Sequence, residues 1–270
     1  MPRCLVIGAQ GFIGSSLAVE AGRRGYEVVA VGRNNYAAAK GQAADLLVHA
    51  AGNPRKYLDE LDPVAGFAQS VAAVAQTLRD FRYGRLVQIS SGAVYPHEDD
   101  PARNGEETPL APEEMTRYGF HKWLAELVVR HYAADHLIFR VGGCVGPGLR
   151  KNALYDLLAG APLFVHPDSE FQFMDTRDLA SAVFQLHESG LAAGTVLNLA
   201  ARGTVSVRQA AAWAGVRLSA EAMGQPRIRA ELDVKRAGRL VPLPETAATV
   251  RRFIAQARAG EVRLGQGGRF

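Results

Sequence analysis

The stretch "RCLVIGAQGFIGSSLAVEAGRRGYEVVAVG" constrains the fold more than any other part of the chain. It begins as a short β-branched apolar run, turns through Gly8, Gly11 and Gly14, and then spaces Ile13, Leu17 and Ala21 at helical intervals before stopping at Gly25. A second apolar run, "YEVVAVG", follows. Neither run alternates polar with apolar residues, so each reads as a strand covered on both faces. Strand, helix, strand in that order, with continuous apolar strands, implies a parallel sheet covered on both faces.

The same period change recurs. "ADLLVHAAG", "GRLVQISSG" and "HLIFRVGG" read as third, fourth and fifth strands, with helices expected over 64–81 and 116–133. After Gly146 the order loosens, although "RDLASAVFQLHESG" reads as a helix and "GTVLNLA" as a late strand. The expected fold is α/β: a Rossmann-type doubly wound parallel sheet with a smaller C-terminal substrate lobe. The expected division is a dinucleotide-binding domain over 1–145 plus about 175–200, and a substrate-binding lobe over 146–174 plus 201–270. In such sheets ligands bind at the carboxyl ends of the strands.

Composition narrows the function classes. The 270 residues are 48% hydrophobic, ample for a buried core. The formal charge of +4 is interspersed rather than gathered into a basic stripe, which argues against a nucleic-acid partner. The apolar run in "MPRCLVIGAQ" is too short for a signal-peptide core and no run approaches a membrane span, so no membrane partner and a cytoplasmic location are expected. Two cysteines, Cys4 and Cys144, make no disulfide framework, and the seven histidines show no metal-ligand spacing, so no metal is expected.

The glycine turn has a chemical reading. A phosphate-cradling turn needs a residue tolerant of positive φ, a backbone that a pyrophosphate can approach, and a close helix–strand contact. The helix beyond it offers free N–H groups to an anion. Gly8, Gly11 and Gly14, three residues apart between a strand and a helix, meet those needs.

This spacing resembles the extended short-chain dehydrogenase/reductase family, in particular its NAD-dependent epimerase/dehydratase, sugar-nucleotide-modifying type. Further segments carry the resemblance. "ISSGAVYP" resembles the family's strand-end motif, which identifies Ser91 as the catalytic Ser/Thr, and "YGFHK" matches its tyrosine–lysine motif at Tyr118 and Lys122. "VHAAG" resembles the segment lining the nicotinamide side, "FRVGGCVGPG" the arginine-to-GPG turn, and "FMDTRDLASAV" the junction of core and lobe. The resemblance implies cofactor contacts from Gly8, Gly11, Phe12, Ile13, Gly14, Ala50, Ala51 and Gly52, and from Tyr118 and Lys122. It also implies substrate contacts from Ser91, with Asn152, Arg227 and Arg229 as further candidates, and a homodimer paired through the 64–81 and 116–133 helices.

The residue types suit the chemistry. Residues four apart on a helix share a face, so Tyr118 and Lys122 can enter one cleft. A free phenol titrates near 10, and a neighbouring ammonium lowers that by roughly 1–3 units. The phenol can then exchange a proton with a substrate alcohol or ketone while a hydride passes to or from a nicotinamide. By the resemblance, Lys122 also holds the nicotinamide ribose and Ser91 fixes the substrate oxygen.

Departures from the family pattern sharpen the expectation. NAD-preferring members end the second strand with a carboxylate; this chain has Gly32 followed by Arg33, which favours NADP(H), with NAD(H) as the alternative. Only sixteen positions separate Arg33 from His49, so a strand is missing there, the adenine pocket is more open and the cofactor exchanges. Gly92-Ala93 replaces the Asp-Glu pair of 4,6-dehydratases, which argues against dehydration, and Gly143 replaces an Asn of the 4-epimerase branch. Ser70 stands where the family presents a structural Asn. The leading expectation is NADPH-dependent reduction of a keto group on a nucleotide-linked sugar. The alternatives are an epimerase that retains NAD and, from another class, a non-catalytic NADP(H)-binding sensor or scaffold.

Overall fold

Strands form where the apolar runs predict them. In the computed structural model, which describes residues 1–53 and 56–265, they are β1 (Arg3–Ile7), β2 (Glu27–Val31), β3 (Ala43–His49), β4 (Arg82–Ser91), β5 (His136–Val141) and a sixth strand, Thr195–Leu199. They pair in the order β2-β1-β3-β4-β5-sixth, parallel throughout. Between β2 and β3 the chain makes one short helix, Tyr36–Ala39, and no further strand, so β2 is left as the sheet edge. The expected loss of a strand is therefore seen. The last five residues of the expected C-terminal lobe lie outside the described residues.

Both faces of the sheet are covered, as the doubly wound reading requires. On one, Leu17 and Ala21 of α1 (Phe12–Arg23) and Leu179 and Val183 of the Thr176–Glu188 helix pack on Val6, Val48, Val87 and Phe139. On the other, Val74 of the Ala73–Asp80 helix and Ala125 and Val129 of the Arg117–Tyr132 helix pack on Leu5, Leu47, Leu86 and Ile138. The strands thus send alternate side chains into two apolar layers.

The helix expected over 64–81 is not uniform. Pro63–Phe67 and Ala73–Asp80 are α-helical, whereas Ala68–Ala72 between them is a π turn. The wide turn turns Ser70 inward, where it is buried and its hydroxyl has no protein partner.

A buried polar network fixes the Arg117–Tyr132 helix to the sheet. Arg140 of β5 grips Glu126 through Nε (3.0 Å) and Nη2 (2.8 Å), Ser90 donates to the same carboxylate at 2.6 Å, and Arg140 Nη1 donates to the Tyr95 hydroxyl at 2.7 Å. Tyr95 in turn donates to Asn198 Oδ1 at 3.0 Å. Burying these charges costs solvation energy, which the two-point contact and the added hydroxyls offset.

The remaining chain builds a third apolar cluster. Leu154 and Leu157 of the Ala153–Ala159 helix, Ala210 of Val207–Ala214, and Val250 and Phe253 of Thr246–Arg258 pack around Phe173. Phe12, in the first turn of α1, packs against this cluster, and Leu232 lies directly against Gly92 beyond β4. Through Phe12 the cluster reaches the carboxyl end of β1, while Leu232, part of the sheet's own core, covers that of β4; the candidate residues gather at this end.

Candidate active site

Gly8 follows β1 with φ +84°, in the left-handed region that glycine enters without strain. A Cβ on Gly8 would stand 2.8 Å from Ala51 N, and one on Gly14 would stand 2.1 Å from Gly8 O. Only glycine permits both approaches. Gly11 caps α1 with extended backbone and no side-chain hydrogen bond, so no cap occupies the first-turn N–H groups of Phe12, Ile13 and Gly14. An uncapped helix start behind a turn whose Gly8 and Gly11 lack a Cβ fits the pyrophosphate of a dinucleotide. Ala50, Ala51 and Gly52 lie beside it at the end of β3.

Arg33 is exposed just past β2. The loop around it is shaped by Asn35, which accepts the Gly32 N–H at 2.7 Å and donates to Ala30 O at 2.9 Å. The Gln10 amide folds onto Gly32 so closely that a Cβ there would meet its Cδ at 2.7 Å. Sequence reasoning missed Gln10; its place inside the glycine turn was the available signal. No carboxylate faces Arg33 from these loop positions, and the guanidinium stands open to an anion.

Ser91 ends β4, and its Oγ accepts the Ala93 N–H at 3.2 Å, which leaves the hydroxyl proton free to donate elsewhere. Tyr118 is half-buried near the start of the Arg117–Tyr132 helix, whose cap is Thr116 Oγ1 accepting the Gly119 N–H at 3.1 Å. Lys122, one turn on, is 8% exposed and donates through Nζ to Ile89 O at 3.1 Å. A Cβ on Gly52 would lie 3.9 Å from that Nζ, so the ammonium points to the loop after β3.

Gly119 decides how near the helix comes to Ser91. A Cβ there would stand 2.0 Å from Ala93 O, so any other residue would lift the helix off the Gly92–Val94 turn. This residue was not singled out by sequence reasoning, though it sits inside "YGFHK". The structure therefore brings Lys122 to the loop after β3 and the turn bearing Tyr118 to the strand end bearing Ser91.

His49, at the end of β3, is 1% exposed, and burial followed by the nearby Lys122 charge lowers its pKa from 6.5 to about 3. Neither ring nitrogen has a protein partner. Below pH 6.5 the unfolded chain takes up a proton that folded His49 refuses, so stability falls with decreasing pH down to about 3. This single group contributes a slope of up to about 1.4 kcal/mol per pH unit. His49→Leu should flatten the melting temperature against pH between 6.5 and 4 by that share; equal slopes would contradict the assignment.

The substrate-side candidates are less concentrated. Asn152 caps the Ala153–Ala159 helix, accepting the Tyr155 N–H at 2.8 Å and donating to Cys144 O at 3.0 Å. Arg227 is exposed and donates to Asp168 O at 3.2 Å, while Arg229 is exposed and paired with Glu231 and Glu170. Burial pushes the Cys4 and Cys144 thiols up to about 12, which leaves neither as a nucleophile at neutral pH. Among the described residues no cluster of His, Cys, Asp or Glu is arranged to hold a metal ion, and no helix is long and apolar enough to cross a membrane.

Comparison with known proteins bears on this arrangement. The structure is similar to a crystal structure of UDP-galactose 4-epimerase, with 25% identity, 97% of this chain and 100% of that chain covered, and a TM-score of 0.77. It shares its fold with dTDP-4-dehydrorhamnose reductase from Bacillus anthracis str. Ames in complex with NADP, at 15% identity, 94% and 98% coverage and a TM-score of 0.73. It also shares it with UDP-glucuronic acid 4-epimerase from Bacillus cereus in complex with UDP-glucuronic acid and NAD, at 17% identity, 94% and 99% coverage and a TM-score of 0.72. No curated protein matches the sequence. The family model that matches spans residues 4–200, from β1 to just past the sixth strand, and takes in the glycine turn, Ser91, Tyr118 and Lys122. The chain belongs to the NAD dependent epimerase/dehydratase family.

Proposed function

We propose that the protein reduces a keto group on a nucleotide-linked sugar with NADPH. The observation that carries this reading is the meeting of three elements at the carboxyl ends of β1, β3 and β4. These are an uncapped helix start behind a glycine turn, a buried lysine aimed at the loop after β3, and a serine hydroxyl with its proton free. When bound, the nicotinamide supplies the hydride. Gly8, Gly11 and the N–H groups of Phe12, Ile13 and Gly14 hold the pyrophosphate, and Ala50, Ala51 and Gly52 line the nicotinamide side. Ser91 donates a hydrogen bond to the substrate oxygen, and Tyr118 delivers a proton to it as charge develops there. Lys122, aimed at the loop after β3, orients the nicotinamide ribose.

Arg33 carries the cofactor preference within this reading, because its guanidinium can grip a 2′-phosphate and Gly32 offers no competing carboxylate. Arg33→Ala should weaken NADPH binding about tenfold and leave NADH binding nearly unchanged. Nicotinamide fluorescence titration measures both, and an equal effect on the two nucleotides would remove Arg33 from the site.

The similarity to UDP-galactose 4-epimerase favours a second reading, an epimerase that oxidises and re-reduces one carbon with retained NAD. The deciding experiment denatures the purified protein, identifies any nucleotide released, and then assays nucleotide sugars with and without added NADPH. An empty site and NADPH-dependent reduction support the reductase; bound NAD and isomerisation without added cofactor support the epimerase. The absent strand beyond β2 leaves the adenine side open and agrees with an exchanging cofactor.

Three further parts of the reading follow. The dinucleotide-binding domain is assigned to 1–145 plus about 175–200, and the substrate lobe to 146–174 plus 201–270. Asn152, Arg227 and Arg229 are assigned to the substrate side, where Arg229 would exchange Glu231 for a diphosphate. Exposed Leu61, Val64 and Phe67, together with Leu127 and Tyr132 on the Arg117–Tyr132 helix, suit a homodimer paired through these helices.

A further inference from the structure

Next to Lys122 lies a polar group that the mechanism above does not use. Asp59 is wholly buried, at 0% exposure, yet it bears a carboxylate. One carboxylate oxygen accepts His121 Nδ1–H at 2.7 Å and the other accepts Asn53 Nδ2 at 2.7 Å. The three residues come from three places: Asn53 from the loop after β3, Asp59 from the Lys56–Leu61 helix, and His121 from the Arg117–Tyr132 helix. Space for the contact is made by Gly66, where a Cβ would stand 1.9 Å from Asp59 Oδ1. The His121 ring is packed edge-on against Phe67, with centroids 5.9 Å apart and planes at 84°.

The same short helix touches the catalytic turn twice more. Glu60 Oε1 accepts the Arg117 N–H at 3.0 Å, and Glu60 O accepts Arg117 Nη1 at 2.6 Å. Lys56, three residues before Asp59, places its ammonium 5.6 Å from the centre of the Tyr118 ring. A buried carboxylate is costly unless it is fully paired, so this one constrains whatever pairs with it. Its partners are the residue immediately before Lys122 and the residue immediately after the Ala50–Gly52 segment.

We propose that Asp59, His121 and Asn53 form a positioning strap that locks the loop at 50–53 and the Lys56–Leu61 helix to the turn carrying Tyr118 and Lys122. None of the three touches the reacting atoms; they act by holding Lys122 and Tyr118 in register with the loop on the nicotinamide side. The inference rests on the reading of Tyr118 and Lys122 as the catalytic pair.

The test uses two substitutions in the full chain. His121→Phe keeps the ring against Phe67 and removes the donor; His121→Asn replaces the ring but restores an N–H donor near the position of Nδ1. Two readouts need no knowledge of the natural substrate. One is the NADPH dissociation constant from nicotinamide fluorescence. The other is amide hydrogen exchange of residues 50–53 and 117–122, the two segments the strap joins. The strap predicts that His121→Phe weakens NADPH binding about tenfold and speeds amide exchange in both segments relative to the rest of the fold, as Lys122 and the loop lose their set positions. His121→Asn should recover most of both.

A folded His121→Phe protein with a lower melting temperature but unchanged NADPH binding and no exchange change confined to these two segments would make the strap purely structural and overturn the proposal. Failure of His121→Asn to recover either readout would do the same. Should His121→Phe not fold, Asp59→Asn, which keeps one acceptor oxygen, should give a smaller shift in the same direction, and no shift counts against the strap. If the parent chain binds neither NADPH nor NADH, the proposed function fails, and amide exchange of the two segments alone still decides the strap.

Discussion

Tyr118→Phe should leave NADPH binding nearly intact and lower turnover by roughly 10²–10⁴-fold, the usual contribution of a positioned proton donor. The variant deletes one oxygen and keeps the ring, which is half-buried and lies under the Lys56 ammonium. The helix cap at Thr116 and the Gly119 contact with Ala93 do not involve the phenol, so the fold should hold. The pattern to look for is a collapse in kcat with little change in the NADPH dissociation constant. Undiminished turnover would show that the phenol is not the proton donor, and an unaltered cellular function would favour the sensor reading over any enzyme.

Gly14→Ala should be nearly as damaging, by a different route. The added methyl would stand 2.1 Å from the carbonyl oxygen of Gly8, a backbone atom that cannot rotate aside. Either α1 tilts away from β1, which pulls its first-turn N–H groups from the pyrophosphate, or the turn opens; overpacking of this kind costs about 1–3 kcal/mol or more. We expect NADPH affinity to fall by about 100-fold together with a lower melting temperature. Gly11→Ala should lower the melting temperature less, since its Cβ would stand 3.0 Å from the same oxygen and needs a smaller shift. Parent-like NADPH binding by Gly14→Ala would remove the glycine turn from the cofactor site.

Much of this could be read in advance because the signals are local. The apolar runs at Arg3–Ile7, Glu27–Val31 and Ala43–His49 are strands buried on both sides, and nothing in their sequence competes with that state. The short interval between Arg33 and His49 leaves no room for another strand, and β2 is indeed the edge. The helix read in "RDLASAVFQLHESG" falls at Thr176–Glu188 and the late strand in "GTVLNLA" at Thr195–Leu199.

Other features had no local signature. "AQSVA" differs little from any alanine-rich helix, yet it forms a π turn; the register that turns Ser70 inward is set by packing against the neighbouring helix and sheet. Asp59 reads as one more charge in "KYLDELD", an exposed helix face by pattern, but it is wholly buried because His121, sixty-two residues away, supplies its donor. Gly119 and Gly66 look like helix-weakening residues, and their value lies in what each lets approach, the Ala93 carbonyl and the Asp59 carboxylate.

The sequence alone determined the strand–helix alternation, the glycine turn and the candidate set Ser91, Tyr118 and Lys122, because each was read from neighbours within a few positions along the chain. Tertiary structure decided how close those pieces stand: Lys122 on the Ile89 carbonyl, the Tyr118 turn on the Ser91 strand end, and Asp59 between Asn53 and His121. Such contacts are fixed by close packing and by pairing of buried polar atoms across the fold, and both depend on residues that the local pattern does not bring together.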